Sequence, residues 1–178
     1  MSRYARDVTQ LRPLTVEDLP EVVALNNHAY PAVPVTPLAE FAELAVLSDV
    51  ALVVEDDDGS LLGFLIAFRP GSPYDSENYR FFEERGTDSL YVDRIVISEG
   101  ARSQGLGVVL YAAVFDAARG EGRAEVTCEV NVDPPNPRSM AFHQRLGFRE
   151  VGRQPTKGGA VTVALMAASV DAESVESV

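Results

Sequence analysis

The stretch Ser89–Ala118, SLYVDRIVISEGARSQGLGVVLYAAVFDAA, decides the fold. It reads as a buried strand over Leu90–Ile97, a glycine-bearing loop over Glu99–Gly107 and a helix over Val108–Ala118. A strand that runs through a glycine loop into a helix aims several backbone N–H groups at one point. The helix dipole adds partial positive charge there, so the place suits a phosphate or pyrophosphate. Two readings stand: a nucleotide or coenzyme site, and a plain strand–turn–helix whose glycines only make the turn. The glycines alone do not separate them.

Composition narrows the classes. The 178 residues suit one domain with a sizeable core, and the 46% hydrophobic and 24% charged fractions argue against wholesale disorder. A formal charge of −12 argues against a nucleic-acid surface and against an anionic membrane. It leaves room for a small anionic ligand, which needs only local amides and a cation or two. With Cys128 alone there is neither an intramolecular disulfide nor a cysteine zinc site, and His28 and His143 are too few for a transition-metal centre. No metal is expected. The first residues carry no signal-like apolar run, and no stretch reaches membrane-spanning length, so a cytoplasmic setting is the default. Oligomeric state stays open, a homodimer included.

Along the chain, Met1–Val8 read as a lead-in and Thr9–Pro13 as an edge strand. A helix starts at Thr15 with a capping-box-like Thr15-x-x-Asp18. A proline-rich loop, Ala29–Pro37, precedes a helix over Leu38–Leu47 with Leu38, Phe41, Ala42, Ala45 and Val46 inward. Val50–Glu55 and Leu61–Phe68 form a hairpin around Asp56-Asp57-Asp58-Gly59. Arg69–Asp88 is long enough to hold a short helix or part of a binding site. After the opening stretch come a strand (Ala124–Val130), a helix (Pro137–Leu146) capped by Asn136 and closed by Gly147, and a hairpin (Phe148–Arg153, Ala160–Ala167). Residues 169–178 read as an acidic tail, leaving 9–168 as one domain. The order predicts an α/β (α+β) chain with a mixed, mostly antiparallel sheet of six or seven strands and helices on both faces. A dinucleotide fold would need repeated β-α-β units and G-x-G-x-x-G, which the sequence lacks.

Arg102-Ser103-Gln104-Gly105-Leu106-Gly107 resembles the [Arg/Gln]-x-x-Gly-x-[Gly/Ala] signature of the GNAT superfamily of N-acetyltransferases. Asn136-x-x-Ser139-x-x-Phe142-His143-x-x-x-Gly147-Phe148 is similar to a second segment of that family, at the expected distance and in the same strand–helix–strand setting. The resemblance covers about Thr9–Met166. YDSENY, LYVDRIVI and CEVNVDPPNPRSMAFHQRLGF further resemble a bacterial group of predicted acetyltransferases.

The resemblance implies acetyl-coenzyme A as donor, with a primary amine as acceptor, either a small molecule or a peptide N-terminus. It implies a pyrophosphate on the amides of Gln104, Gly105, Leu106, Gly107 and Val108, beside Arg102 and Ser103. The pantetheine arm would follow Ile95, Val96 and Ile97, with Ile95 N–H polarising the thioester carbonyl and Asn136 and Ser139 near the arm. Asp93, two residues before Ile95 and read as on the same face, stands where the family often places a base. Its bland alternative is an ion pair with Arg94 or Arg145. His143 replaces the family's usual tyrosine acid, and a structural histidine is the competing reading. Tyr30, Tyr79, Tyr91 and Glu129 are candidate acceptor contacts, with Tyr74 a further lining residue. Cys128 reads as a buried thiol, so direct transfer in a ternary complex is expected. The rivals are a coenzyme-binding domain without catalysis and an acyltransferase for longer chains.

Overall fold

The computed structural model describes residues 9–171, so the expected lead-in and most of the tail lie outside the described residues. Among the described residues seven strands and five α-helices follow one another: β1 (Gln10–Pro13), α1 (Leu19–His28), α2 (Leu38–Leu47), β2 (Val50–Glu55), β3 (Leu61–Phe68), α3 (Glu77–Arg85), β4 (Ser89–Ile97), α4 (Leu106–Gly120), β5 (Glu125–Asp133), α5 (Pro137–Arg145), β6 (Arg149–Thr156) and β7 (Val161–Ser169). They form one sheet in the order β1-β2-β3-β4-β5-β7-β6. Every neighbouring pair is antiparallel except β4–β5.

Both faces of the sheet are covered, which is why the central strands read as continuous apolar runs rather than alternating ones. On one face α4 buries Leu106, Leu110 and Val114, joined by Phe148 from the connection after α5, against Leu65, Val92 and Val126. On the other, α1, α2 and α3 bury Val22, Phe41 and Phe82 against Phe64, Ile66 and Tyr91. Phe41 meets Phe64 edge-on with ring centroids 5.6 Å apart, a geometry worth about 0.5–1.5 kcal/mol beyond area burial. The β2–β3 turn forms as its sequence dictates: Asp56 Oδ1 accepts from the N–H groups of Asp58 and Ser60.

Several boundaries and faces differ from the sequence expectation. Val46 is 86% exposed, and Leu44 is buried in its place, because α2 rests on α1 along the Phe41–Leu44 edge. Arg69–Asp88 holds α3, capped by the Ser76 hydroxyl, which accepts from Tyr79 N–H. The β6 strand runs on through Thr156, which shortens the closing loop to residues 157–160. The expected tail begins later than residue 169: Ser169 belongs to β7, and Val170 is buried with its N–H donated to Ala124 O at 3.0 Å.

The feature that positions the site is a fork. Strands β4 and β5 pair over only four residues each, from Ser89↔Glu125 to Val92↔Cys128. Beyond that point β4 stays paired with β3 as far as Ile97, and β5 stays paired with β7 as far as Asp133. Each strand keeps its outer partner, so a wedge opens between them.

Candidate active site

One wall of the wedge is the free edge of β4. Ser98 N–H donates to Leu62 O at 2.8 Å. In an antiparallel ladder, bonded pairs alternate, so Val96 and Arg94 also spend their backbone groups on β3. Ile95 and Ile97, opposite Leu65 and Gly63, turn theirs into the wedge. The structure therefore separates Val96 from its two neighbours: its backbone is committed to β3, and its side chain packs with the α1–α2 core. A cleft of about 980 Å³ occupies the wedge and runs past Gly105–Val108, Asn136, Ser139 and His143.

At one end of the cleft lies the glycine loop. Gly105 has φ +81° and leads into α4 with no side chain capping the helix. A glycine is needed there because other residues resist the left-handed region. The N–H groups of Leu106 and Gly107 have no partner among the described residues, as befits an uncapped helix start. Two other amides expected to bind are already engaged: Gln104 N–H donates to Ala101 O at 3.4 Å, and Val108 N–H to Gly105 O at 3.0 Å. Gly107 owes its identity to packing. A Cβ there would sit 2.8 Å from Phe142 Cζ, so the missing side chain lets α5 close on α4. Arg102 is exposed and pairs loosely with Glu99 at 3.6 Å, and Ser103 has φ +71°. Asn136 accepts from Ser139 N–H at 3.2 Å, so it caps α5 while lining the cleft. Free amides at a helix start and an open strand edge, joined by one cleft, fit an elongated ligand with a phosphorylated end.

Past the fork, Asp93 and Glu129 stand on β4 and β5. Asp93 is the extra residue of a bulge, since Ile66 pairs with Arg94 and Ala67 with Val92. The bulge breaks the alternation, so Asp93 does not share a face with Ile95 as expected. It joins Tyr91 and Arg94 on the α1–α3 side, whereas Ile95 packs with the α4 core. Its carboxylate is enclosed: Tyr74 Oη donates at 2.8 Å, Tyr91 Oη lies at 3.3 Å, and Arg94 Nε donates at 3.1 Å. The Arg94 ion pair weighed from sequence is present, and Arg145 is not part of it.

Glu129 is different. Tyr91 Oη donates to its Oε2 at 2.7 Å. Desolvation pushes its carboxyl well above the usual carboxylate range, and the charge of Asp93 pushes the same way. Hydrogen bonds from Tyr91 and Asn78 act in the opposite direction. Glu129 lines the cleft and remains half-buried.

His143 is 2% exposed, and both ring nitrogens are engaged. Nδ1 lies 2.8 Å from Ser139 O, which can only accept, so the proton is assigned to Nδ1. Nε2 then accepts from Tyr111 Oη at 2.8 Å. Burial lowers its pKa, which favours the neutral ring. Tyr111, a buried polar residue in the apolar stripe of α4, was not singled out from sequence; a tyrosine at such a position is the available signal. Burial also pushes the Cys128 thiol up, so it stays protonated.

The structure distributes the acceptor candidates unevenly. Tyr74 and Glu129 line the cleft, but Tyr30, Tyr79 and Tyr91 do not. Tyr30 is 63% exposed on the outside of its loop. Tyr79 is a loop anchor that donates to Arg69 O at 2.7 Å and accepts from Ser72 N–H at 2.9 Å. Tyr91 is buried behind the two carboxylates and reaches the cleft only through Glu129 and Asp93.

A forked seven-stranded sheet with an uncapped, glycine-led helix beside the fork makes an α/β fold with a cleft suited to an elongated, phosphorylated ligand. The chain matches the Acetyltransferase (GNAT) family over residues 19–148 and belongs to that family. It is an acetyl-CoA-dependent N-acetyltransferase. It is 29% identical over 158 residues to the L-methionine sulfoximine/L-methionine sulfone acetyltransferase of Pseudomonas aeruginosa, covering 83% of this chain and 84% of that protein. The crystal structure of Ard1 from Thermoplasma volcanium superposes with a TM-score of 0.73 at 18% identity, over 90% of this chain and 97% of the other. The structure of yncA from Salmonella typhimurium, solved with its cofactor acetyl-CoA, gives 0.66 at 19% identity, over 92% and 95% of the two chains. Among the described residues no helix is long and apolar enough to cross a membrane.

Proposed function

We propose that this acetyltransferase moves the acetyl group directly to a primary amine inside a ternary complex, with Glu129 accepting the amine's proton. The observation that carries this reading is the half-buried Glu129 carboxylate, facing the cleft just past the fork and desolvated beside a second carboxylate. A base needs a pKa near the working pH, and burial next to Asp93 moves a carboxyl toward it. Asp93 holds the base in place through their shared Tyr91 and raises its proton affinity. It does not take the proton itself, because its own oxygens are engaged by Tyr74, Tyr91 and Arg94.

The acetyl donor binds along the fork, its phosphates at the Leu106 and Gly107 amides and its pantetheine arm against Ile95 and Ile97. Ile95 N–H then faces the thioester carbonyl, where a fixed donor lowers the barrier by stabilising developing negative charge. The amine nitrogen bonds to the acetyl carbon, the carbon–sulfur bond breaks, and the sulfur leaves with the electron pair as thiolate. The departing proton resides on Glu129. His143 clamps the Tyr111 hydroxyl and stays neutral, so it does not supply an imidazolium proton. The buried, protonated Cys128 favours direct transfer over an acetyl-enzyme.

Thiol release from acetyl-CoA over an amine panel tests the reaction. Glu129→Gln is expected to lower kcat by about 10²–10⁴-fold, with donor affinity by calorimetry unchanged. Wild-type turnover in the variant would remove Glu129 from the chemistry.

A further inference from the structure

Arg94 is a buried cation only partly used by the protein. Its side chain is 8% exposed, yet it lines the cleft. An arginine offers five N–H donors in a fixed plane. Nε donates to Asp93 Oδ2 at 3.1 Å. Nη1 donates to Asn26 Oδ1 at 3.0 Å and to Thr36 Oγ1 at 2.7 Å. Nη2 has no partner among the described residues. It is not sealed in either, because the enclosed, unpartnered side-chain atom found among the described residues is Ser72 Oγ. Nη2 therefore keeps some solvent contact, on a residue that lines the cleft.

The guanidinium is also held rigidly. It sits over the Phe41 ring at 5.5 Å, and the buried Asn26 that fixes it is itself tied to Pro34 O at 2.9 Å. Such a pre-set fork loses little entropy on binding, and its geometry suits a carboxylate. Asp93 pairs with Arg94 through Nε alone, so Nη2 carries no carboxylate partner among the described residues.

Resting on the transfer reading above, we infer that the acceptor is a free α-amino acid, its carboxylate on Arg94 Nη2 and its amine at Glu129. Asp93 and Glu129 occupy equivalent positions just past the last β4–β5 pair, and Tyr91 Oη touches both, at 3.3 and 2.7 Å. Arg94 follows Asp93 on the bulge. The anion-binding and proton-accepting groups thus meet at one end of the cleft. An amino acid bound with its carboxylate charged and its amine neutral answers both at once, the one proton lost on acylation passing to Glu129. A peptide N-terminus presents a neutral amide carbonyl beside its amine, and a simple amine presents nothing, so each leaves the Arg94 donors desolvated and unmatched. Discrimination of this kind is strong, because a buried polar group without its partner is costly.

The experiment compares L-amino acids with their α-carboxamides and their decarboxylated amines in thiol-release assays. The wild type is expected to prefer the acids in kcat/KM by about 10- to 100-fold, the range for one charge-assisted hydrogen-bonding partner. Arg94→Gln is expected to bring that ratio down to a few-fold. Equal turnover of acids, carboxamides and amines by the wild type would overturn the assignment and leave acetyl transfer intact. So would an undiminished acid preference in a folded Arg94→Gln. If Arg94→Gln does not fold, the wild-type comparison alone decides. Should acetyl-CoA bind while no member of the panel releases thiol, the transfer reading itself fails and this inference with it.

Discussion

Removing one oxygen, in Tyr91→Phe, should move the pH dependence of catalysis without touching the cleft. Tyr91 Oη donates to Glu129 Oε2 at 2.7 Å and lies 3.3 Å from Asp93 Oδ1, and the ring itself is buried. The bond to Glu129 favours its charged form and opposes the larger effect of desolvation. Deleting the hydroxyl therefore raises an already elevated pKa. A hydrogen bond to a charged group contributes about 1.5–3 kcal/mol, and one pKa unit corresponds to about 1.4 kcal/mol, so the shift is about 1–2 units. The sign follows from the role of Glu129. A base works when deprotonated, so kcat/KM rises with pH through the Glu129 pKa, well to the alkaline side of the ordinary glutamate value of about 4.3. In Tyr91→Phe that rise moves further up, and the plateau above it is retained. Thiol release across pH, with two acceptors of different amine pKa, separates this limb from ionisation of the acceptor. A limb that stays in place, or moves to lower pH, would refute the assignment of the base to Glu129.

Two further substitutions probe the frame around the site. Gly107→Ala places a Cβ 2.8 Å from Phe142 Cζ; the overpacking should cost about 1–3 kcal/mol of stability by denaturant titration. Phe142→Leu in the same chain should recover part of it, whereas a glycine needed only for phosphates would show no such rescue. His143→Phe strands the buried Tyr111 hydroxyl, so stability should fall by about 1–3 kcal/mol. Tyr111→Phe added to it should restore part of the loss. If His143 only holds Tyr111, the shape of the pH profile of kcat stays that of the wild type.

The fold was legible because its signals are local and redundant. The β2–β3 hairpin, the glycine-led helix and the Asn136 cap each rest on neighbours within a few residues, and all three formed where the sequence placed them. Features that depend on partners far along the chain were not readable. A bulge at Asp93 depends on register with β3, and one inserted residue is enough to turn a side chain to the other face. Val46 and Leu44 were exchanged because both fit the apolar stripe of α2, and only its docking on α1 chooses between them. Tyr30, Tyr74 and Tyr79 look alike in sequence, yet they end on the outside of a loop, in the cleft and on the buried face of α3 respectively. Ser139 was readable as a helix position. That its carbonyl fixes the His143 tautomer required the ring's burial as well.

The fork also has a mechanical meaning. Strands β1–β4 and β5–β7 are two half-sheets sharing a seam of four residue pairs. Past the seam, the edges of β4 and β5 are unfinished, with the amides of Ile95 and Ile97 facing a gap where a continuous sheet would have a partner. A molecule that lies in the gap and bonds to those edges acts as a splint, tying the two halves together along a line that the chain leaves open. On the proposed donor site, loading the enzyme is therefore expected to stiffen the sheet as well.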